Sequence, residues 1–79
     1  MAELPPMTYL KIGELAKEVG CLPSTIHFYT QEGLLQEVKR SRGGYRLYDP
    51  VEAPKRLRQI FNLQEKKRWR IEEIKKLFK

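Results

Sequence analysis

The sequence predicts a mainly α fold with a small β-hairpin, in the element order α-α-β-β-α-α. Three observations carry this. Apolar residues recur at helical spacing near the start, at Ile12, Leu15, Ala16 and Val19, and again after Pro50, at Leu57, Ile60 and Phe61. Between these stretches, Gly43-Gly44 separates two short arms rich in cationic and aromatic residues. The chain has 79 residues, 41% of them hydrophobic. That is enough for one thin-cored domain and too little to enclose a large active site.

The first seven residues, with Pro5-Pro6, read as a flexible N-terminal arm, and order is expected from about Thr8 to Lys79. Ile12 to Val19 forms one apolar helical face of about two turns, and Gly20 stands where a C-terminal cap belongs. Pro23, whose fixed φ suits a first helical position, opens a second helix expected to run to Gln31 and to stop at Gly33. Two short helices so closely joined suggest a helix-turn-helix. On the second of them Ile26, Tyr29, Thr30 and Gly33 share the side able to pack on the first helix, while Ser24, His27 and Gln31 form a polar, uncharged stripe. Phe28 lies between the two stripes.

Leu34 to Arg40 and Tyr45 to Tyr48 are the expected hairpin arms, with both glycines of the turn at positive φ. Alternation puts Tyr45 and Leu47 on one face and Arg46 and Tyr48 on the other. Asp49-Pro50-Val51-Glu52 has the form of a capped helix start, with Glu52 completing a capping box. Pro54 inside a helix would cost roughly 3 kcal/mol, so the regular helix is expected to begin irregularly, at Ala53 or Pro54, and to run to about Lys66. The basic turn Lys66 to Arg70 leads to a last short helix marked by Ile71, Ile74, Leu77 and Phe78.

Charge is unevenly placed. Of the formal net charge of +6, residues 1–38 contribute −3 and residues 39–79 contribute +9. A basic half of this kind suits a polyanion, above all a nucleic-acid backbone. The single cysteine, Cys21, excludes an intrachain disulfide and a thiolate cluster for a metal, so no cofactor and no metal is expected. No apolar run approaches spanning length and the first residues lack a leader pattern, which predicts a cytoplasmic chain with no membrane partner.

Four motifs in order and at matching spacing carry a resemblance: Lys11-Ile12-Gly13-Glu14-Leu15-Ala16-Lys17; Phe28-Tyr29 followed by Glu32-Gly33-Leu34-Leu35; Gly44-Tyr45-Arg46-Leu47-Tyr48; and Ile71-Glu72-Glu73-Ile74. Together they resemble the DNA-binding domain of the MerR family of transcription regulators. The resemblance implies a winged helix-turn-helix whose second helix enters the major groove of double-stranded DNA. It assigns recognition to Ser24, Thr25, His27, Phe28 and Tyr29, the first wing to Arg40, Arg42, Tyr45 and Arg46, and the second wing to Lys55, Arg56 and Arg58. It further implies a nucleoid-associated regulator that meets RNA polymerase at a promoter, and a homodimer where a C-terminal dimerisation helix lies outside this chain. Members of the family usually carry arginine at the positions of Ser24 and His27 and glutamate at that of Thr30, so the resemblance does not carry over an operator, and pH dependence through His27 is expected. Members also continue into a dimerisation helix and a sensor domain, whereas this sequence stops at Lys79, as a DNA-binding fragment or a stand-alone small member would.

Two other readings compete. A small architectural or recombination accessory factor, of the excisionase or phage packaging subunit type, would share the winged fold without a sensor. A protein-interaction module would use Trp69, Leu77 and Phe78 as an apolar patch. Enzymatic work is disfavoured: there is one histidine and one cysteine, Glu72-Glu73 fits a helix N-terminus, and the glycine pair lacks the lysine and strand-to-helix context of a phosphate loop.

Overall fold

Seven short elements follow one another along residues 9–78, the part of the chain described by the computed structural model. They are β1 (Leu10–Lys11), α1 (Ile12–Val19), α2 (Pro23–Gln31), β2 (Lys39–Arg40), β3 (Arg46–Tyr48), α3 (Glu52–Glu65) and α4 (Ile71–Leu77). The expected N-terminal arm, residues 1–7, and the start of order at Thr8 lie outside the described residues.

Helices α1 and α2 fall within the bounds that periodicity predicts. The Lys11 backbone N–H donates to Glu14 Oε1 at 2.8 Å, so one orphan donor at the start of α1 is satisfied. The end of α2 is a Schellman turn. Leu34 N–H bonds the Tyr29 carbonyl at 2.9 Å and Gly33 N–H bonds that of Thr30 at 3.1 Å, with Gly33 at φ 80°. That turn leads Leu34 and Leu35 straight into the core, so they do not belong to the hairpin arm expected from Leu34 to Arg40. The strand that remains is only Lys39–Arg40.

The sheet has three antiparallel strands in the order β1-β3-β2, with Leu10 opposite Tyr48 and Arg40 opposite Arg46. The sequence reading missed β1 because two residues carry no periodicity. The hairpin turn also differs from expectation: of the two glycines only Gly44 has positive φ, at 87°. Gly44 N–H bonds the Ser41 carbonyl at 2.9 Å, and Ser41 N–H bonds that of Tyr45 at 2.8 Å. This is a three-residue loop closed by a residue in the left-handed region, which needs one glycine rather than two.

Helix α3 begins at Glu52, earlier than expected, and Pro54 is its third residue. There the missing N–H would have had no acceptor within the helix, so the anticipated penalty does not arise. Asp49 Oδ1 takes the N–H groups of Val51 and Glu52 at 2.8 and 2.7 Å. These bonds hold the Asp49 carboxyl below the usual carboxylate range. Between α3 and α4, Arg68 adopts φ 59°, the one positive φ outside glycine among the described residues.

The core gathers Leu15, Ala16, Ile26, Tyr29, Leu34, Leu35, Tyr48, Ala53, Leu57, Ile60 and Ile74. Helix α1 sits at its centre, packed on α2, α3, β1 and β3. Trp69 and Phe78 pack against this cluster and only Leu77 is exposed, so the three do not form the apolar patch of the interaction-module reading. Among the described residues no helix is long and apolar enough to cross a membrane.

Candidate nucleic-acid interface

Helix α2 divides as its sequence predicts. Ile26 and Tyr29 are buried, Thr25 and Thr30 are half-buried, and Ser24, His27, Phe28 and Gln31 are exposed. Tyr29, assigned to recognition by resemblance, belongs to the core instead: it is 5% exposed and its hydroxyl donates to Gln64 Oε1. Burial pushes its phenol pKa up. The spacing Ile26-Tyr29 demands this, because both residues fall on the side that covers α1 and α3. Phe28 keeps 43% exposure next to His27 in the helix.

The hairpin stands against this face through side-chain contacts. Arg46 Nη1 lies 2.7 Å from His27 Nδ1. A guanidinium only donates, so Nδ1 accepts and the ring proton sits on Nε2. The same guanidinium gives its Nε–H to Glu37 Oε1 at 2.8 Å, while Arg40 Nε–H reaches Glu37 Oε2 at 2.9 Å. Both carboxylate oxygens of Glu37 are thus held by arginines on the two arms of one hairpin. The hydrogen bond from Arg40, followed by its charge and the bond from Arg46, lowers the Glu37 pKa, and Glu37 raises that of Arg40. Arg42, at the turn, is exposed and makes no ion pair among the described residues.

Tyr45 is 61% exposed, with Lys11 Nζ 5.4 Å from its ring centroid; Lys39 Nζ lies 5.1 Å from that of Tyr9. Both rings hold a lysine beside the hairpin by cation–π attraction. Tyr48 of β3 lies in the core and Tyr45, just before the strand, is exposed, while Arg46 and Leu47 between them are both half-buried. On α3, Lys55 and Arg58 are exposed, whereas Arg56 turns inward. Its Nη1 donates to the Leu34 carbonyl at 3.1 Å and its guanidinium stacks 4.0 Å from the Phe78 ring centroid. Arg56 therefore ties the end of the helix-turn-helix to the end of α4. An open depression of about 430 Å³ beside it is lined by Leu35, Glu37, Asp49 and Glu52 among others.

Of the predicted site residues the structure brings Arg46 onto His27 and, through Glu37, Arg40 beside Arg46; Ser24 and Phe28 are exposed on the helix that carries His27, and Arg42, Tyr45, Lys55 and Arg58 are exposed elsewhere on the surface. Sequence reasoning did not place Glu37 or Lys11 at the site. Glu37 precedes Arg40 by three residues, a spacing that means contact on a helix and carries no such signal in the irregular segment where Glu37 lies. Among the described residues no cluster of three or more His, Cys, Asp or Glu side chains could hold a metal ion. A polar helix face flanked by guanidinium and ammonium groups can hydrogen-bond base edges and neutralise phosphates at once.

Comparison with known proteins agrees in sequence and shape. The profile of the family described as MerR HTH family regulatory protein matches residues 10–79. The nodulation protein NolA of Bradyrhizobium diazoefficiens is 44% identical over 55 residues, which cover 70% of this chain and 23% of that protein. Among solved structures, the transcription regulator PbrR691 from Ralstonia metallidurans CH34, in complex with lead(II), is 43% identical with a TM-score of 0.75, over 87% of this chain and 52% of that one. HiNmlR, a MerR family regulator lacking the sensor domain and bound to promoter DNA, has a TM-score of 0.76 at 24% identity over 89% of this chain and 54% of that one, a likeness of fold. The chain thus spans about a quarter of the NolA sequence and about half of each solved chain.

Proposed function

The chain belongs to the MerR family and corresponds to the DNA-binding domain of its transcription regulators, and on that premise we propose that residues 8–79 act as one winged helix-turn-helix unit reading duplex DNA in a sequence-specific way. Membership of a regulator family sets enzymatic work aside and does not favour the accessory-factor reading. In this proposal α2 lies in the major groove. His27 offers its Nε2–H to a purine acceptor, Ser24 and Thr25 offer hydroxyls, and Phe28 meets a thymine methyl. Arg40, Arg42, Tyr45 and Arg46 of the hairpin, with Lys55 and Arg58 of α3, face phosphates. The observation that carries this is the 2.7 Å contact of Arg46 with His27, which sets a basic hairpin directly beside the polar face of α2.

The natural protein, on this reading, works in the cytoplasm, on the nucleoid. It binds a dyad-symmetric site as a homodimer where a dimerisation helix is present, and meets RNA polymerase at the promoter. Selection of bound sequences from a random DNA pool, with sizing of the complexes, tests it. A defined consensus is expected, changed at one position by His27→Arg and weakened uniformly by Arg42→Ala. With about six to ten phosphate contacts per assembled site, affinity should fall about 10³- to 10⁵-fold between roughly 50 and 200 mM salt. Recovery of no consensus, or a flat salt response, would overturn the proposal.

A further inference from the structure

Glu37 is an acidic side chain clamped between two arginines of the hairpin. It is 27% exposed and both of its oxygens are engaged, Oε2 by Arg40 Nε at 2.9 Å and Oε1 by Arg46 Nε at 2.8 Å. The Nε edge of an arginine is half of the fork with which a guanidinium grips a phosphate or a guanine side-on. In the hairpin, two of the three arginines have that edge covered by a carboxylate of this same chain. Arg46 also gives Nη1 to His27, and Arg40 Nη1 lies 3.5 Å from the Gly44 carbonyl. Each must therefore exchange an existing partner before it can bind phosphate through that edge, whereas Arg42 has none to give up among the described residues.

We propose that Glu37 is a specificity-determining residue: an internal stand-in for phosphate that restrains the sequence-independent grip of the hairpin and aims Arg46 at His27. The inference rests on the DNA-binding reading above. Two effects follow from one carboxylate. It competes with the DNA backbone for Arg40 and Arg46, so binding to any duplex is weaker and less salt-sensitive than the arginine content implies. By anchoring Arg46 Nε it also fixes the donor that keeps the His27 proton on Nε2, where it can meet a base. Glu37 acts through its neighbours and need not touch DNA.

The test compares the full chain with Glu37→Gln and Glu37→Ala, by fluorescence anisotropy on a scrambled duplex and on the selected site over a range of salt. Freeing two guanidinium contacts should steepen the plot of log K against log salt by about 1.8. The variants' advantage on scrambled duplex should then grow about tenfold as salt falls from roughly 200 to 50 mM. Glu37→Ala should in addition flatten the preference at the base pair changed by His27→Arg. In an Arg40→Ala, Arg46→Ala background, Glu37→Gln should have no such effect. An unchanged or shallower slope in both variants overturns the proposal, as does an equal effect in the Arg40→Ala, Arg46→Ala background, which would mark a general change of charge. A merely structural role would lower Tm without raising affinity for scrambled duplex. Failure of the unsubstituted chain to bind DNA in a salt-dependent way would instead overturn the DNA-binding reading itself.

Discussion

Thr30 divides one hydroxyl between two partners: Oγ1 donates to the Ile26 carbonyl at 2.8 Å and receives the Tyr48 hydroxyl at 2.8 Å. Tyr48 is fully buried, so Thr30 is what permits a phenol in the core and what joins α2 to β3 at that depth. Thr30→Val keeps the shape and strands the Tyr48 hydroxyl. It should destabilise the chain by about 1–3 kcal/mol in urea unfolding, and Tyr48→Phe added to it should recover part of the loss. The sequence placed Thr30 on the packing side of α2 by its angle, yet nothing in a linear pattern names a partner eighteen residues away. Arg56 illustrates the same limit. An arginine on a basic helix reads as a surface group until the Leu34 carbonyl and the Phe78 ring are brought up against it.

At the scale of elements, the start of α3 depends on one carboxylate, because Asp49 Oδ1 takes two of the helix's orphan N–H groups. Its pKa is depressed in the folded chain by those bonds. A depressed carboxylate stabilises fully above its unfolded pKa, near 4, and that contribution is lost as pH falls through the lower folded value. Glu37, held down by Arg40 and Arg46, has the same sign. Thermal melts taken from about pH 7 down to pH 3 should therefore show Tm falling on the acid side, below about pH 4. Asp49→Asn should lower Tm at neutral pH and flatten the acid fall; an acid limb identical to that of the unsubstituted chain would exclude Asp49 as a source. The helices were legible because apolar spacing and Gly or Pro punctuation agree. The strands were less so, since two- and three-residue strands are held by register with one another, and register is not local.

At the scale of the molecule, eleven hydrophobic residues among those described form the buried cluster, and Leu57 and Ile60 of α3 are fully buried in it. Leu57→Ala should cost about 2–5 kcal/mol, a large share of the roughly 5–15 kcal/mol that holds a small domain folded. Circular dichroism should find a much lower Tm, and α2 and the hairpin should lose DNA binding together with the fold, since they share that core. Fold order and the cationic half of the chain were legible from composition and punctuation. The Glu37 clamp was not, because it depends on two hairpin arms closing around a segment that has no repeating pattern of its own.

Lys11 closes strand β1 and also stands immediately before α1, so the residue paired with Leu47 in the sheet is covalently the threshold of the helix-turn-helix. A push on the hairpin cannot be taken up by a slack joint there. Under the proposed function the domain behaves as a caliper with a locked hinge. The distance between the bases met by α2 and the phosphates met by the hairpin is set by the protein, and a DNA site with a different groove width must deform to match it.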